Sequence, residues 1–257
     1  MTPISANALC ALLEEYVGGD LQGVGVAFDG DGTLWSGDVG EDVFEYSVSR
    51  DLLRDDAQPS LLASAREHHL DVSGTASQMA AQLFAAYRAG RYPERVACEM
   101  MTWCYAGMTL TEFDALVSAA LDHAGLATRM QTEVLRVVDW AVRNQLTLLV
   151  ISASPGPIVR RAVQHCGVAP GAVIAAEPLT QQAVISADPG VSVPYAESKA
   201  RAGRERLGTR RWLASFGDNI FDAEMLKSAE VGVAVRPKPA LARHLGNDPR
   251  VWLLRPE

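Results

Sequence analysis

Short apolar runs alternate with amphipathic helical patterns along this chain, and that alternation restricts the possible fold more than any other feature. Runs of this length read as buried strands, and strands joined by helices form a mostly parallel sheet that helices cover on both faces. The sequence therefore predicts a Rossmann-like α/β fold. The main predicted strands lie at 23–28, 146–152, 211–216, 231–235 and 251–254, with shorter ones at 172–175, 184–186 and 191–193.

Strand patterns are missing between residues 41 and 126, where one helical stripe follows another. Within this stretch, Thr111 followed by Asp114 predicts a capped helix start. An all-helical unit is therefore predicted to interrupt the sheet-forming part of the chain. The predicted units are residues 1–36 together with 128–257, and an inserted helical unit at 37–127.

The 257 residues carry a formal net charge of −8, which disfavours nucleic acid and anionic membranes as partners because both attract basic surfaces. A small phosphorylated molecule needs only local positive charge. No run of about 18 apolar residues predicts a membrane span, and the N-terminus lacks the basic start of a signal peptide. None of the four cysteines forms a C-x-x-C pair, so we expect reduced thiols. We therefore expect a cytoplasmic protein, as a monomer or homodimer.

Polar side chains follow several predicted strands at the point where each strand ends. Two carboxylates, Asp29 and Asp31, come directly after the first strand and alternate with glycines. Because the carboxyl ends of parallel strands meet at one edge of a sheet, such residues should converge there. The other residues at or near these positions are Ser152, Ala153, Ser154, Lys199, Asp218, Asn219 and Asp222.

Each of these features also has a purely structural explanation. Asp-Gly pairs are common in turns, a serine after a strand often caps a helix, and a lone lysine is usually a solvated side chain. Their joint occurrence at successive strand ends favours a site over a set of unrelated turns and caps.

Phosphoryl transfer through an aspartyl-phosphate needs this combination of groups. A carboxylate can act as nucleophile, and two neighbouring carboxylates ionise together most easily when a divalent cation lies between them. Mg²⁺ prefers such oxygen ligands. Ser152, the N–H groups after it and Lys199 would contact the transferred phosphoryl oxygens. Gly30 and Gly32 would allow the backbone to approach the phosphate closely.

Four elements of the sequence resemble the motifs of the haloacid dehalogenase superfamily of phosphohydrolases. They are "DGDGT" at 29–33, "LLVIS" at 148–152, Lys199, and "GDNIFDAEML" at 217–226. They occur in family order and span most of the chain. The helical unit between the first two motifs resembles the type 1 cap of the phosphoserine phosphatase-like branch. The resemblance therefore implies a catalytic core at 1–36 and 128–257, and a substrate-selecting cap at 37–127.

The activity that the resemblance implies is Mg²⁺-dependent hydrolysis of a small phosphomonoester. Asp29 is then the nucleophile and a metal ligand, and Asp31 is the general acid and base, with its carbonyl on the metal. Asp31 also argues against dehalogenation, because the dehalogenases of this superfamily lack a second acid. The other implied roles are phosphate binding by Ser152 and Lys199, metal binding by Asp218 and Asp222, and substrate contact or loop support by Gly30, Gly32, Thr33, Ala153 and Ser154.

The loop after the first motif is the candidate for recognising the leaving group. We expect Trp35, Asp38 and Glu41 to contact a cationic amine through charge and cation–π attraction, with solvated loop charges as the alternative. Phe221 departs from the phosphoserine phosphatase-like pattern, which often has Asn there. The arginines of the helical unit that would instead recognise a carboxylate or a sugar are Arg66, Arg88, Arg91 and Arg95.

Other functions remain possible on the same residues. A phosphomutase or phosphotransferase would use the same scaffold, and release of free phosphate separates it from a phosphatase. A catalytically inactive binding protein is a further alternative, although no charged motif residue is missing. A calcium loop starting at Asp29 fails, because Leu34 and Gly40 occupy the positions of its required Gly and Glu.

Overall fold

Nine strands and eleven α-helices form the described part of the computed structural model, residues 1–18 and 22–256. The strands are β1 Thr2–Ile4, β2 Val24–Phe28, β3 Thr147–Pro155, β4 Val173–Ala176, β5 Thr180–Gln181, β6 Val184–Ile185, β7 Arg211–Gly217, β8 Val231–Val235 and β9 Val251–Leu254. The helices are α1 Ala6–Val17, α2 Val39–Ser49, α3 Gln58–Glu67, α4 Ala76–Arg88, α5 Glu94–Trp103, α6 Leu110–His123, α7 Thr132–Arg143, α8 Gly156–Ala162, α9 Glu197–Leu207, α10 Ala223–Ser228 and α11 Pro239–Leu245. In the residues that the structure describes, no helix combines the length and apolar character needed to cross a bilayer.

Seven strands form one sheet in the order β1-β9-β8-β7-β2-β3-β4, and each neighbouring pair runs parallel. The interior strand β2 is buried along its whole length, as expected for a strand covered on both faces. Because β2 lies between β3 and β7, the carboxyl ends of these three strands meet at one edge. The predicted α/β fold with a mostly parallel sheet is confirmed.

Alternate residues of β2 enter two different apolar layers. Val26 and Phe28 belong to the large core, which also contains Leu9 of α1. Ala27 belongs to a smaller cluster with Leu207 of α9 and Trp212 of β7. Because successive side chains of a strand point to opposite faces, helices pack on both sides of the sheet.

Helices α2 to α6 lie between β2 and α7, where the sequence predicts only helices. We call residues 39–123 the helical insert. Its two connections to the rest of the chain are joined by backbone hydrogen bonds: the Ser36 N–H donates to the Arg129 carbonyl at 2.9 Å, and the Gln131 N–H to the Leu34 carbonyl at 2.9 Å. The division into domains at 36/37 and 127/128 stays a prediction.

The antiparallel hairpin of β5 and β6 also contacts the helical insert. The Gly107 N–H donates to the Ile185 carbonyl at 3.0 Å, and the Leu110 N–H to the Ala183 carbonyl at 3.0 Å. The insert is therefore held by a second set of backbone contacts, in addition to its two chain connections.

Some local predictions differ from the structure. The capping box of α6 is Thr109 with Glu112 rather than Thr111 with Asp114, because the Glu112 side chain reaches back to the Thr109 N–H at 2.7 Å. Residues 191–193 form no strand. The edge strand β1 was missed because its three residues, two of them exposed, carry no strand pattern.

Candidate active site

A cavity of about 340 Å³ lies at the carboxyl ends of β2, β3 and β7. Asp29, Ser152 and Asp218 line it on the side of the sheet, and Tyr87 and Glu94 line it from helices α4 and α5. Parallel sheets bind ligands at this edge. The structure therefore brings the strand-end residues together in one cavity.

Asp29 directly follows β2 and is only 4% exposed. Its Oδ1 accepts a hydrogen bond from Lys199 Nζ at 2.6 Å, and its Oδ2 accepts one from Thr33 Oγ1 at 3.3 Å. Burial and the nearby Asp222 raise the pKa of Asp29 well above its usual range, although Lys199 acts in the opposite direction. The Asp29 carboxylate thus lies where additional positive charge would stabilise its ionised form.

Lys199, in the first turn of α9, links two of the buried carboxylates. Its Nζ lies 2.6 Å from Asp29 Oδ1 and 2.6 Å from Asp222 Oδ1. Burial disfavours the charged ammonium, but Asp222 and Asp29 outweigh this effect and raise the pKa of Lys199. Lys199 therefore stays protonated and provides a fixed positive charge beside Asp29.

Three buried carboxylates form a compact group of oxygen atoms. Asp29, Asp218 and Asp222 each offer one oxygen within 4.8 Å of the others. Asp222 Oδ2 also accepts hydrogen bonds from the N–H groups of Asp218 and Asn219, at 3.2 and 2.9 Å. Burial raises the pKa of Asp218 to about 6, against the effect of Lys238. This set of hard oxygen donors suits a divalent cation such as Mg²⁺.

Asp31 lies two residues from Asp29 but has different surroundings. Its Oδ1 accepts hydrogen bonds from Trp35 Nε1 and the Val39 N–H, each at 2.8 Å. Its Oδ2 accepts one from Ser154 Oγ at 2.7 Å and a longer one from Ser152 Oγ at 3.4 Å. The two acids of the first motif therefore differ in their hydrogen-bond partners: Asp29 contacts the Lys199 ammonium, and Asp31 contacts neutral donors.

Comparison with known proteins agrees with this geometry. The sequence model of the haloacid dehalogenase-like hydrolases matches residues 26–227, which include every motif residue described above. The chain belongs to this family. No curated protein matches the chain.

Solved structures show that this haloacid dehalogenase-like hydrolase shares its fold with distant proteins. A protein of unknown function from Bordetella pertussis Tohama I is 16% identical, with a TM-score of 0.68 over 90% of this chain and 98% of that one. A functionally unknown protein from Anaerococcus prevotii DSM 20548 is 14% identical, with a TM-score of 0.63 over 89% and 84%. An apo-form phosphoserine phosphatase is 10% identical, with a TM-score of 0.54 over 91% and 94%.

Most of the residues predicted to contact phosphate line the cavity of this hydrolase, and one of them lies behind its surface. Gly32, Ala153 and Ser154 line the cavity together with Ser152. Gly32 has a φ of +82°, and a Cβ atom there would lie 2.4 Å from the Asp218 carboxylate, so only glycine fits. Thr33 is buried and supports Asp29.

Trp35 and Gly30 lie behind the cavity rather than at its surface. Trp35 has no exposed surface, and its indole N–H is bound to Asp31. A Cβ atom on Gly30 would lie 3.0 Å from the Trp35 ring, so Gly30 gives room for the indole. Trp35 therefore supports Asp31 and Gly30 makes room for Trp35, while the contact of these two residues with substrate stays a prediction.

Asp38 and Glu41 line the cavity, as their predicted role requires. Asp38 caps α2 and accepts a hydrogen bond from the Glu41 N–H at 2.8 Å. The Glu41 carboxylate forms an ion pair with Arg88 at 2.6 Å. None of the four arginines considered for substrate recognition lines the described cavity.

Several residues that line the cavity were missed by the sequence analysis. Lys238 lies three residues after β8, and its Nζ is 3.2 Å from Asp218 Oδ2. A search for polar residues near the ends of predicted strands would have found it. Tyr87, Glu94 and Tyr195 carry no such signal, because they belong to helices or loops whose packing the local pattern does not reveal.

Proposed function

We propose that this hydrolase is a Mg²⁺-dependent phosphatase that acts on a small phosphomonoester through an aspartyl-phosphate on Asp29. The environment of Asp29 carries the proposal. One of its oxygens contacts Lys199, and Asp218 and Asp222 lie close enough to share a cation with it. Asp31, bound by neutral donors, lies two residues away. A nucleophile, a fixed cation, a metal site and a proton donor are what phosphoryl transfer requires.

The three buried carboxylates fit a divalent cation. Burial and mutual repulsion raise the pKa values of Asp29 and Asp218, so Lys199 and Lys238 do not supply all the positive charge that the group needs. Asp29, Asp218 and Asp222 would hold the ion. When bound, Mg²⁺ would stabilise negative charge on the phosphoryl oxygens.

The reaction would proceed in two balanced steps. An Asp29 oxygen attacks phosphorus while the bond to the leaving oxygen breaks, and Asp31 gives its proton to that oxygen. Asp31 then takes a proton from water, the water oxygen attacks phosphorus, and the bond between Asp29 and phosphorus breaks. Inorganic phosphate is released, and Asp31 is protonated again. Lys199 and the Ser152 hydroxyl would face the phosphoryl oxygens during both steps.

The hydrogen bonds of Asp31 indicate which of its oxygens exchanges the proton. Oδ1 is bound by the N–H groups of Trp35 and Val39, which can only donate. Oδ2 is bound by the hydroxyl of Ser154, which can donate or accept. Oδ2 can therefore gain or lose a proton while its hydrogen bond is kept.

Phosphate release from a panel of phosphomonoesters, p-nitrophenyl phosphate included, tests the proposal. We expect release that needs Mg²⁺ and falls by a factor of about 10³ or more in Asp29→Asn, because the nucleophile is lost. Asp122→Asn, on the exposed surface of α6, is the matched control and should keep full activity. Transfer of phosphate to an alcohol without release would instead indicate a phosphotransferase. A folded protein that turns over no substrate would contradict the proposal.

A further inference from the structure

Acidic, aromatic and apolar side chains line the cavity on the side of the helical insert. We call Asp38, which directly precedes the insert, and Glu41, Tyr87 and Glu94 within it the insert-side wall; Cys98 and Met101 line the same side. Tyr195 lines the cavity together with Phe221, and their ring centroids are 4.4 Å apart. Because Asp29 and Asp31 line the same cavity, the leaving group of a bound phosphomonoester would face these side chains.

On the side of the cavity that the sheet forms, which we call the sheet side, lysines and a bound cation can neutralise the carboxylates. Four carboxylates lie there, those of Asp29, Asp31, Asp218 and Asp222. When Asp31 carries the proton that it donates, the two lysines, Lys199 and Lys238, and one divalent cation exceed the other three carboxylates by one positive charge, which the phosphoryl group of the substrate would take up. That side therefore has no charge left over to neutralise a leaving group.

The insert-side wall contains two carboxyl groups that have no cationic partner among the residues described. Glu41 is paired with Arg88 at 2.6 Å. Asp38 and Glu94 have no cationic side chain within ion-pair distance among the residues described, although Lys238 is near enough to favour the charged form of Glu94. Burial raises the pKa of both carboxyl groups. A bound cation would supply the missing partner.

Aromatic rings complete this wall. A cation attracts the face of an aromatic ring, most strongly where water is excluded. Tyr87 and Tyr195 line the same cavity as Glu94; burial raises the pKa of both phenols, and the charge of Glu94 adds to this effect. A cationic group beside Glu94 would therefore also be near these two rings.

A second anionic group on the substrate has little to bind in this cavity. In the described part of the chain, no arginine lines it. Lys199 contacts Asp29 and Asp222, and Lys238 contacts Asp218. A carboxylate on the leaving group would face Asp38 and Glu94 without a free cation.

We propose that the substrate is a phosphomonoester whose leaving group carries an ammonium or quaternary ammonium group and no carboxylate, with Glu94 and Asp38 binding the cation beside Tyr87 and Tyr195. The inference rests on the proposed phosphatase function. It names Glu94 as the main determinant of specificity, in place of Trp35, which is buried.

Four matched compounds test the charge of the leaving group. O-phosphoethanolamine and phosphocholine carry a cation, ethyl phosphate carries none, and O-phospho-L-serine adds a carboxylate to phosphoethanolamine. We expect kcat/KM for the better cationic compound to exceed that for ethyl phosphate and for phosphoserine by about tenfold or more, the size of one cation contact in a desolvated site. A preference for ethyl phosphate or phosphoserine would overturn the inference.

A pair of variants on α5 tests the role of Glu94. Glu94→Gln should lower the ratio of kcat/KM for phosphocholine to that for ethyl phosphate by about tenfold. Glu99→Gln removes a carboxylate of the same helix that is paired with Arg95 at 3.0 Å outside the cavity, and it should leave this ratio unchanged. Equal ratios in Glu94→Gln and the unchanged protein would contradict the assignment.

Inhibition of the unchanged protein provides a test that needs no variant. Choline should inhibit hydrolysis of p-nitrophenyl phosphate more strongly than 3,3-dimethyl-1-butanol, its uncharged analogue, and equal inhibition would overturn the inference. The nitrophenyl substrate has no ammonium group, so it reports the phosphatase activity itself. If Asp29-dependent hydrolysis of this ester occurs without any cation preference, only the substrate inference fails. If no ester is hydrolysed, the proposed function fails together with it.

Discussion

The carboxylates on the two sides of the cavity differ in whether a cationic side chain contacts them. On the sheet side, Asp29 and Asp222 share Lys199, and Asp218 contacts Lys238. On the insert side, Asp38 and Glu94 have no lysine or arginine partner within ion-pair distance among the described residues. Side chains that carry out chemistry need fixed positions, which their mutual contacts provide. Side chains that select a ligand can be left for the ligand to neutralise.

Replacing Asp31 should have the largest effect, and it sharpens the contrast between the two acids of the first motif. We expect Asp31→Asn to lower kcat for an alkyl phosphate by a factor of about 10³, because no proton reaches the leaving oxygen. Nitrophenolate leaves without a proton, so p-nitrophenyl phosphate should give a burst of about one nitrophenol per enzyme, followed by slow hydrolysis of the intermediate. Rapid-mixing absorbance measures the burst. An equal loss of rate with both esters, without a burst, would contradict the role of Asp31.

The two lysines of the sheet side should differ in their contribution to stability. Lys199→Met should lower the free energy of unfolding by about 3 kcal/mol, because it leaves buried carboxylates without their cation. Lys238→Met should cost less than about 1 kcal/mol, because this side chain is 57% exposed and its ion pair is screened. Urea unfolding of the metal-free protein measures both. Equal losses would show that burial does not separate the two lysines.

The pH dependence of metal binding tests the raised pKa values of the sheet-side acids. Because the folded-state pKa of Asp218 is raised to about 6, the folded protein holds more protons than the unfolded chain between about pH 4 and pH 6. The contribution of this group to stability therefore falls as the pH rises through that window. Mg²⁺ would replace the missing protons, so it should raise Tm more at pH 7.5 than at pH 5.

The size of this metal effect follows from mass action. Mg²⁺ at about 100 times its Kd contributes about 2.7 kcal/mol, which corresponds to a rise in Tm of roughly 5–10 °C at pH 7.5 for a protein of this size. At pH 5 we expect less than half of that rise. Asp218→Asn should lose most of it at both pH values. Thermal scans with equal shifts at pH 5 and pH 7.5 would contradict the assignment.

Replacing Trp35 should have the smallest effect on catalysis, and it tests whether this residue supports Asp31 or contacts substrate. Trp35→Phe keeps an aromatic ring but removes the N–H that Asp31 Oδ1 accepts. We expect kcat to fall by about tenfold and KM to stay nearly constant, because one hydrogen bond to the acid is lost. Steady-state kinetics with a cationic and an uncharged ester measure this. A rise in KM confined to the cationic ester would place Trp35 in the substrate site instead.

Much of the sheet and of its reactive edge could be predicted because both depend on local patterns. The strand β2 is a continuous apolar run, and Asp29 and Asp218 follow directly from strand ends. Parallel topology then brings these ends together without further information. The short strand β1 and the pairing of β5 with β6 depend on contacts between distant residues, which no local pattern specifies.

The insert-side wall was predicted less well, for a physical reason. A tryptophan near two acids fits a cation site, and only the packed structure shows that the Trp35 indole points its N–H at Asp31. Glu94 lies at the start of a helix, where an acidic residue is common in any case. Its place in the cavity depends on how α5 packs against β3, and that packing comes from tertiary contacts.

The backbone hydrogen bonds between the β5–β6 hairpin and the helical insert determine how far the insert can move. A wide rotation of the helical insert about its two connections would break the hydrogen bonds from Gly107 to Ile185 and from Leu110 to Ala183. In enzymes with lids, opening and product departure often limit turnover. We therefore expect the insert to move only by small amplitudes while these hydrogen bonds are kept. The hairpin would then slow turnover, and it would limit the access of bulk water to the proposed aspartyl-phosphate.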